Sequence, residues 1–176
     1  MAKIALFGGA FNPVHIGHLT TILHVLELTN VDRILVAPVY THPEGKKLTP
    51  FEDRLAMLRL ALSNMPPSVV LDKIEEYNWL QGGRGLTINT LNILLGRGHE
   101  KILLVLGTDL KEPFRLWEGY AEIQALVKDG KVEIFWMDRD HTVSSTSARM
   151  AIKFGWSTKR MLQPQVREYI DQKRLY

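Results

Sequence analysis

Short apolar runs alternate with segments of helical periodicity along the whole sequence. The runs fall at residues 3–7, 33–38, 69–72, 101–106 and 132–137 and are rich in Val, Ile and Leu, as strands buried on both faces are. Between them, Leu19, Ile22, Leu23 and Leu26 recur at helical spacing, as do Phe51, Leu55, Leu58 and Leu62, so each set is expected to face the core. The second of these helices carries a start signal. Thr49 and Glu52 have capping-box spacing, and Pro50 occupies the expected first helical position, where a missing N–H costs nothing. Further helices are predicted over 87–95, 120–127, 145–154 and, after Pro164, 165–172. Strands alternating with helices imply crossover units, hence an α/β fold with a doubly wound parallel sheet and helices on both faces. There is no internal repeat, low-complexity tract or Pro/Ser linker, and 176 residues suit a single domain. The stretch Gly82-Gly83-Arg84-Gly85 reads as a loop rather than a phosphate cradle, and neither a Walker A nor a G-x-G-x-x-G motif occurs.

Composition narrows the chemistry. A chain with 45% hydrophobic and 23% charged residues can bury a core, which excludes disordered and fibrous classes. The absence of cysteine removes disulfide scaffolds, thiolate metal sites and cysteine nucleophiles together. Residues 1–7 are too short for the apolar part of a signal peptide, and no stretch reaches the roughly 18 apolar residues a bilayer span requires. A soluble, cytoplasmic protein is therefore expected. The net charge of +3 is uneven, because residues 139–176 hold eight Lys and Arg against three acids. That surplus suits an anionic small molecule, a nucleic acid or a solvated surface alike.

The segment from Gly8 to His18, GGAFNPVHIGH, follows the first strand and leads into the first helix. Glycines at a strand end let backbone approach a ligand, and a helix N-terminus behind them offers N–H groups to an anion. His15 and His18 would lie on similar faces if the first helical turn includes both, and each can donate to phosphate oxygens. Such a pair is also compatible with a structural or surface role. Zinc fits less well, since no third ligand stands nearby at a recognisable spacing. Near the other end, Ser144, Ser145 and Thr146 precede Arg149. These hydroxyls can cap a helix, and with the freed N–H groups and the guanidinium they can also bind phosphate. Two anion-ready helix starts at opposite ends of one α/β chain favour a polyphosphate gripped between them.

The first segment resembles the H-x-G-H signature of the nucleotidyltransferase superfamily related to class I aminoacyl-tRNA synthetases. Its form is the longer G-G-x-F-x-P-x-H-x-G-H of nicotinate and nicotinamide mononucleotide adenylyltransferases. The stretch VSSTSAR over 143–149 resembles that family's I-S-S-T-x-I-R, with Ala148 in place of the common isoleucine, read as a packing change. Gly107-Thr108-Asp109 matches its G-x-D, Trp117 stands where relatives place an aromatic that stacks on the pyridine ring, and the segment from Leu86 to Leu91 resembles one whose first threonine, here Thr87, helps recognise the nicotinate end. The resemblance extends over nearly the whole chain. It departs after Pro38, where His42-Pro43-Glu44-Gly45-Lys46-Lys47 replaces a histidine and lysine around paired prolines.

The resemblance implies a Rossmann-like fold whose C-terminal helical part, from about residue 144, completes an ATP site. It implies that a mononucleotide phosphate attacks the α-phosphorus of ATP, forming a dinucleotide and pyrophosphate. The catalytic set would be His15, His18 and Arg149. ATP would meet Gly8, Gly9, Ala10, Phe11, His15, His18, Gly107, Asp109, Ser144, Ser145, Thr146 and Arg149, and the mononucleotide would meet Lys46, Lys47, Thr87 and Trp117. Magnesium would travel with ATP, without a dedicated protein site. The partners implied are ATP and a pyridine mononucleotide, nicotinate or nicotinamide, with no nucleic acid or membrane, and with a homo-oligomer allowed. Two alternatives are another superfamily member acting on phosphopantetheine, FMN or glycerol phosphate, and a non-catalytic nucleotide- or nucleic-acid-binding module.

Overall fold

The computed structural model describes residues 3–42, 45–138 and 143–176. Pro43 and Glu44 of the divergent segment, and Arg139 and Asp140 of the basic stretch, lie outside the described residues. Five parallel strands form one sheet in the order β3-β2-β1-β4-β5. They are β1 (Lys3–Gly9), β2 (Arg33–Pro38), β3 (Val69–Leu71), β4 (Lys101–Gly107) and β5 (Val132–Met137). Alternation along the strands sorts their side chains between two cores. Ala5, Phe7, Ile34, Val36, Leu103 and Val105 enter one, whereas Ile4, Leu6, Leu35, Ala37, Ile102, Leu104 and Leu106 enter the other.

The first core is closed by α1 (Ile16–Leu28), α2 (Phe51–Leu62), α7 (Ser145–Lys153) and α8 (Pro164–Lys173), through residues such as Ile22, Leu58, Ala148 and Ile170. The second is closed by α3 (Ile74–Leu80), α4 (Thr87–Gly96), the short α5 (Lys111–Phe114) and α6 (Tyr120–Lys128), through Ile74, Leu91, Phe114 and Ile123. The doubly wound, Rossmann-like α/β fold is thus as expected. The chain leaves β1 toward β2 and β3, then crosses back to place β4 on β1's other side. Crossovers diverge there, and a crevice opens at the carboxyl ends of those two strands.

Four local expectations are corrected. Leu23 is 47% exposed, because α1 buries the narrower set Leu19, Ile22 and Val25. The Thr49 capping box does not form, and Pro50 is the N-cap rather than the first helical residue. The Thr49 main chain is engaged elsewhere, its N–H donating to Asn12 Oδ1 (3.2 Å) and its carbonyl accepting from Arg54 Nε (2.9 Å). Strand β1 runs on to Gly9, because Gly8 and Gly9 stay in register with Ala37 and Pro38 of β2. Helix α3 escaped the periodicity reading because it buries Glu75 and Asn78 beside Ile74 and exposes Tyr77, Trp79 and Leu80, the reverse of an ordinary amphipathic helix.

Candidate active site

Beyond β1 the chain turns sharply. Phe11 adopts φ 46°, a left-handed conformation costing a non-glycine residue about 1–2 kcal/mol. Burial of its ring to 1% exposure offsets that cost. The ring packs edge-on against Phe7 (5.6 Å between centroids) and beneath the His18 imidazole (4.8 Å). Gly9 makes this possible, since a Cβ there would lie 3.2 Å from Phe11 Cζ.

His15 is the N-cap of α1 in extended conformation (φ −140°, ψ 170°), so the first helical turn does not include it. The two rings meet nonetheless, with centroids 3.7 Å apart. The His15 backbone N–H donates to His18 Nδ1 (3.1 Å). With Nδ1 accepting, the neutral imidazole of His18 carries its proton on Nε2. Gly17 keeps the pair together: a Cβ there would lie 3.1 Å from His15 Cε1 and Nδ1. The glycine of the H-x-G-H segment is thus set by the ring beside it.

Helix α7 opens with a reciprocal serine cap. Ser144 Oγ accepts from the Ser147 N–H (3.0 Å) and Ser147 Oγ from the Ser144 N–H (2.9 Å). The second motif then bonds directly to the first. Ser145 Oγ donates to the Pro13 carbonyl (2.8 Å), and Arg149 Nη1 donates to the Asn12 carbonyl (2.7 Å) while Nη2 reaches Thr146 Oγ1 (3.3 Å).

Around this junction lies a cavity of about 540 Å³. The front of the chain lines it with Gly8, Gly9, Ala10, Phe11, His15 and His18, the divergent segment with His42, Lys46 and Lys47, the end of β4 with Gly107 and Asp109, and the start of α7 with Ser144, Ser145, Thr146 and Arg149. Its charge is cationic, with Asp109 the acidic side chain among the described lining residues. No three His, Asp or Glu side chains among the described residues converge as metal ligands. A ligand bringing several negative charges, with any metal ion already attached, fits such walls.

Thr87 and Trp117 do not line this cavity. They flank a separate contact in which Gly119 (φ 87°) presses on α4 so closely that a Cβ would lie 2.4 Å from Ile88 Cγ2. Trp117 packs edge-on against Phe114, with centroids 5.1 Å apart. The Gly82–Gly85 stretch is a loop between α3 and α4, tied to the Trp117 segment by an Arg84–Glu118 ion pair.

Sequence reasoning missed the residues that hold these loops. Arg54 is 1% exposed and donates to the carbonyls of Thr49 (2.9 Å), Ala10 (3.0 Å), Val39 (2.8 Å) and Tyr40 (3.0 Å). Burial pushes its pKa down to about 10, so it stays charged at neutral pH. Asn12 is buried, and its Oδ1 accepts from the Thr49 N–H and from the Tyr176 hydroxyl (2.8 Å). Behind Thr87, Thr90 Oγ1 donates to Glu75 Oε1 (2.5 Å), joining α3 to α4, and burial raises the Glu75 carboxyl above its ordinary range. Lone polar residues beside apolar ones read as surface, and only burial reveals them.

Comparison with known proteins agrees with this arrangement. The cytidylyltransferase-like family model matches residues 6–151. A protein of Enterococcus faecalis named probable nicotinate-nucleotide adenylyltransferase is 31% identical, the match covering 99% of this chain and 84% of that one. One of the same name from Caldicellulosiruptor saccharolyticus is 31% identical over 99% of this chain and 98% of the other. In fold, a solved structure of Plasmodium falciparum nicotinic acid mononucleotide adenylyltransferase complexed with NaAD matches with a TM-score of 0.83 at 18% identity, covering 100% of this chain and 98% of that one. A second structure of that protein, complexed with APC, gives 0.80 at 18% identity, with the same coverage. With a family model matching residues 6–151 and relatives 31% identical over 99% of this chain, the chain is a nucleotidyltransferase and belongs to the cytidylyltransferase-like family.

Proposed function

We propose that this enzyme transfers the adenylyl group of ATP to nicotinate mononucleotide, releasing pyrophosphate and forming the dinucleotide in NAD biosynthesis. The observation that carries the reading is the pair of bonds Arg149–Asn12 and Ser145–Pro13, which bring the imidazoles and the guanidinium to one cavity. The names of the relatives favour the nicotinate form of the acceptor.

In this reaction an oxygen of the mononucleotide phosphate forms a bond to the α-phosphorus while the bond from that phosphorus to the bridging oxygen breaks, and the electron pair leaves with pyrophosphate. The attacking phosphate is largely dianionic near neutral pH, so no general base is required, and positioning and charge neutralisation supply the catalysis. His18 presents its Nε2 proton to the reacting phosphate, oriented by the His15 N–H and the Phe11 ring. His15 and Arg149 neutralise the polyphosphate and the departing pyrophosphate, with Ser144, Ser145 and Thr146 offering hydroxyls and the helix start behind them. Lys46 and Lys47, also on the lining, add charge. Gly8, Gly9, Ala10, Phe11, Gly107 and Asp109 shape the adenosine side, while Thr87 and Trp117, which do not line this cavity, would meet the pyridine end beyond it. Magnesium brought with ATP would supply neutralisation of phosphate charge, and Asp109 is the carboxylate lining the cavity that could help hold it. The chain acts as one nucleotidyltransferase domain, completed from about residue 144, in the cytoplasm. Among the described residues no helix is long and apolar enough to cross a membrane.

The test offers ATP and magnesium with one acceptor at a time and follows pyrophosphate. Nicotinate mononucleotide is expected to be the best acceptor, ahead of nicotinamide mononucleotide, with phosphopantetheine and FMN inactive. A pantetheine or flavin phosphate as the sole good acceptor overturns the choice of substrate. Salt-sensitive oligonucleotide binding without any pyrophosphate overturns the enzymatic reading.

A further inference from the structure

Helix α8 does not simply run out. Arg174 turns into the left-handed region (φ 52°), the Leu175 N–H closes onto the Ile170 carbonyl (3.0 Å), and Tyr176 also takes a positive φ (74°). Two departures of this kind within three residues, both in non-glycine side chains, persist only where surrounding contacts hold them. Here the contact is visible. The reversal swings the Tyr176 phenol back onto the loop after β1, where its hydroxyl donates to Asn12 Oδ1 at 2.8 Å. The Thr49 N–H donates to the same oxygen at 3.2 Å, so the carboxamide is held by two donors from two different segments. Asn12 is 6% exposed, and its own main-chain carbonyl accepts from Arg149 Nη1 at 2.7 Å. The phenol and the guanidinium thus meet on one residue, Tyr176 at the Asn12 side chain and Arg149 at its main-chain carbonyl, which links the end of α8 to the cavity wall.

We propose that Tyr176 is a positioning residue for the polyphosphate end of the site, aiming Arg149 by fixing Asn12. Tyr176 itself does not line the cavity, so it acts through these two residues and not on the ligand. Burial keeps the phenol protonated, its pKa pushed up to about 12 despite the guanidiniums of Arg149 and Arg54 in range. It therefore stays a donor throughout the working pH range. An arginine already bonded to a fixed carbonyl loses less freedom when phosphate arrives than one searching many rotamers, and the difference appears as affinity. The inference rests on the reading above only in placing Arg149 at the polyphosphate.

The test is Tyr176→Phe, which removes one oxygen, combined with Arg149→Ala in a double-mutant cycle. The probe is inorganic pyrophosphate with magnesium, titrated calorimetrically into the full chain. Tyr176→Phe is expected to weaken pyrophosphate about fivefold, the scale of one neutral hydrogen bond, and to leave the KM for the mononucleotide within about twofold. In the Arg149→Ala background the same change should alter pyrophosphate binding less than about twofold. A thermal melt of each variant verifies that it is folded. Wild-type pyrophosphate affinity in Tyr176→Phe overturns the proposal, as does an equal loss in both backgrounds, which would mark a merely structural role. A wild-type protein that binds no pyrophosphate overturns it as well. If the wild type binds pyrophosphate but does not adenylylate nicotinate mononucleotide, the substrate reading fails while the cycle still decides the role of Tyr176.

Discussion

Replacing His18 with alanine is expected to lower turnover by about three orders of magnitude, the scale set by removing one preorganised donor from a transition-state site. The ring is held from three directions, by the His15 N–H on Nδ1, the Phe11 ring at 4.8 Å and the His15 ring at 3.7 Å. In the proposed reaction its Nε2–H would thus be aimed before substrate arrives, with no reorganisation needed as charge shifts onto the phosphate. Alanine removes the donor and leaves the His15 N–H to water, so the unfolding midpoint should move little. Steady-state pyrophosphate release beside a thermal melt separates the two effects. Near-normal turnover in a folded His18→Ala variant removes His18 from the mechanism.

Arg54→Leu should destabilise the fold by about 3–5 kcal/mol, as several buried carbonyls losing their charged donor together would. Four carbonyls from three segments converge on one guanidinium, which also lies 5.3 Å from the Phe51 ring centroid. Leucine would leave those carbonyls buried without their donor, and each such loss is costly. For a chain of this size the melting temperature should fall by about 10 °C. Lysine should recover little, since a compact ammonium on a flexible stem does not reproduce the planar fork that spans the four acceptors. Chemical denaturation of the three proteins checks this, and a loss below about 1 kcal/mol would show that the loops do not depend on Arg54.

The layered α/β fold was legible because its strands are continuous apolar runs and most of its helices bury one stripe. Helix α3 was not, since its inward positions are Glu75 and Asn78, a pattern that periodicity cannot distinguish from an irregular segment. The two phosphate motifs were also legible, and the structure brings both to one cavity. Their supports were hidden for a common reason. Arg54 and Tyr176 donate to main-chain or amide oxygens far away in sequence, Asn12 offers its oxygens to equally distant donors, and a lone polar residue carries no sign of which distant partner it will meet. His15 shows a limit of spacing. The two histidines share a helical face only if the first turn includes both; His15 is the cap instead, and the rings meet through a backbone bond rather than through helical geometry.

The most direct measurement is a crystal structure of the enzyme with an ATP analogue that resists transfer. We expect His18 Nε2 and the Arg149 guanidinium both to lie within about 2.7–3.2 Å of oxygens on the same triphosphate. A triphosphate bound against one of them and out of reach of the other would contradict the reading of this cavity as a site for adenylyl transfer.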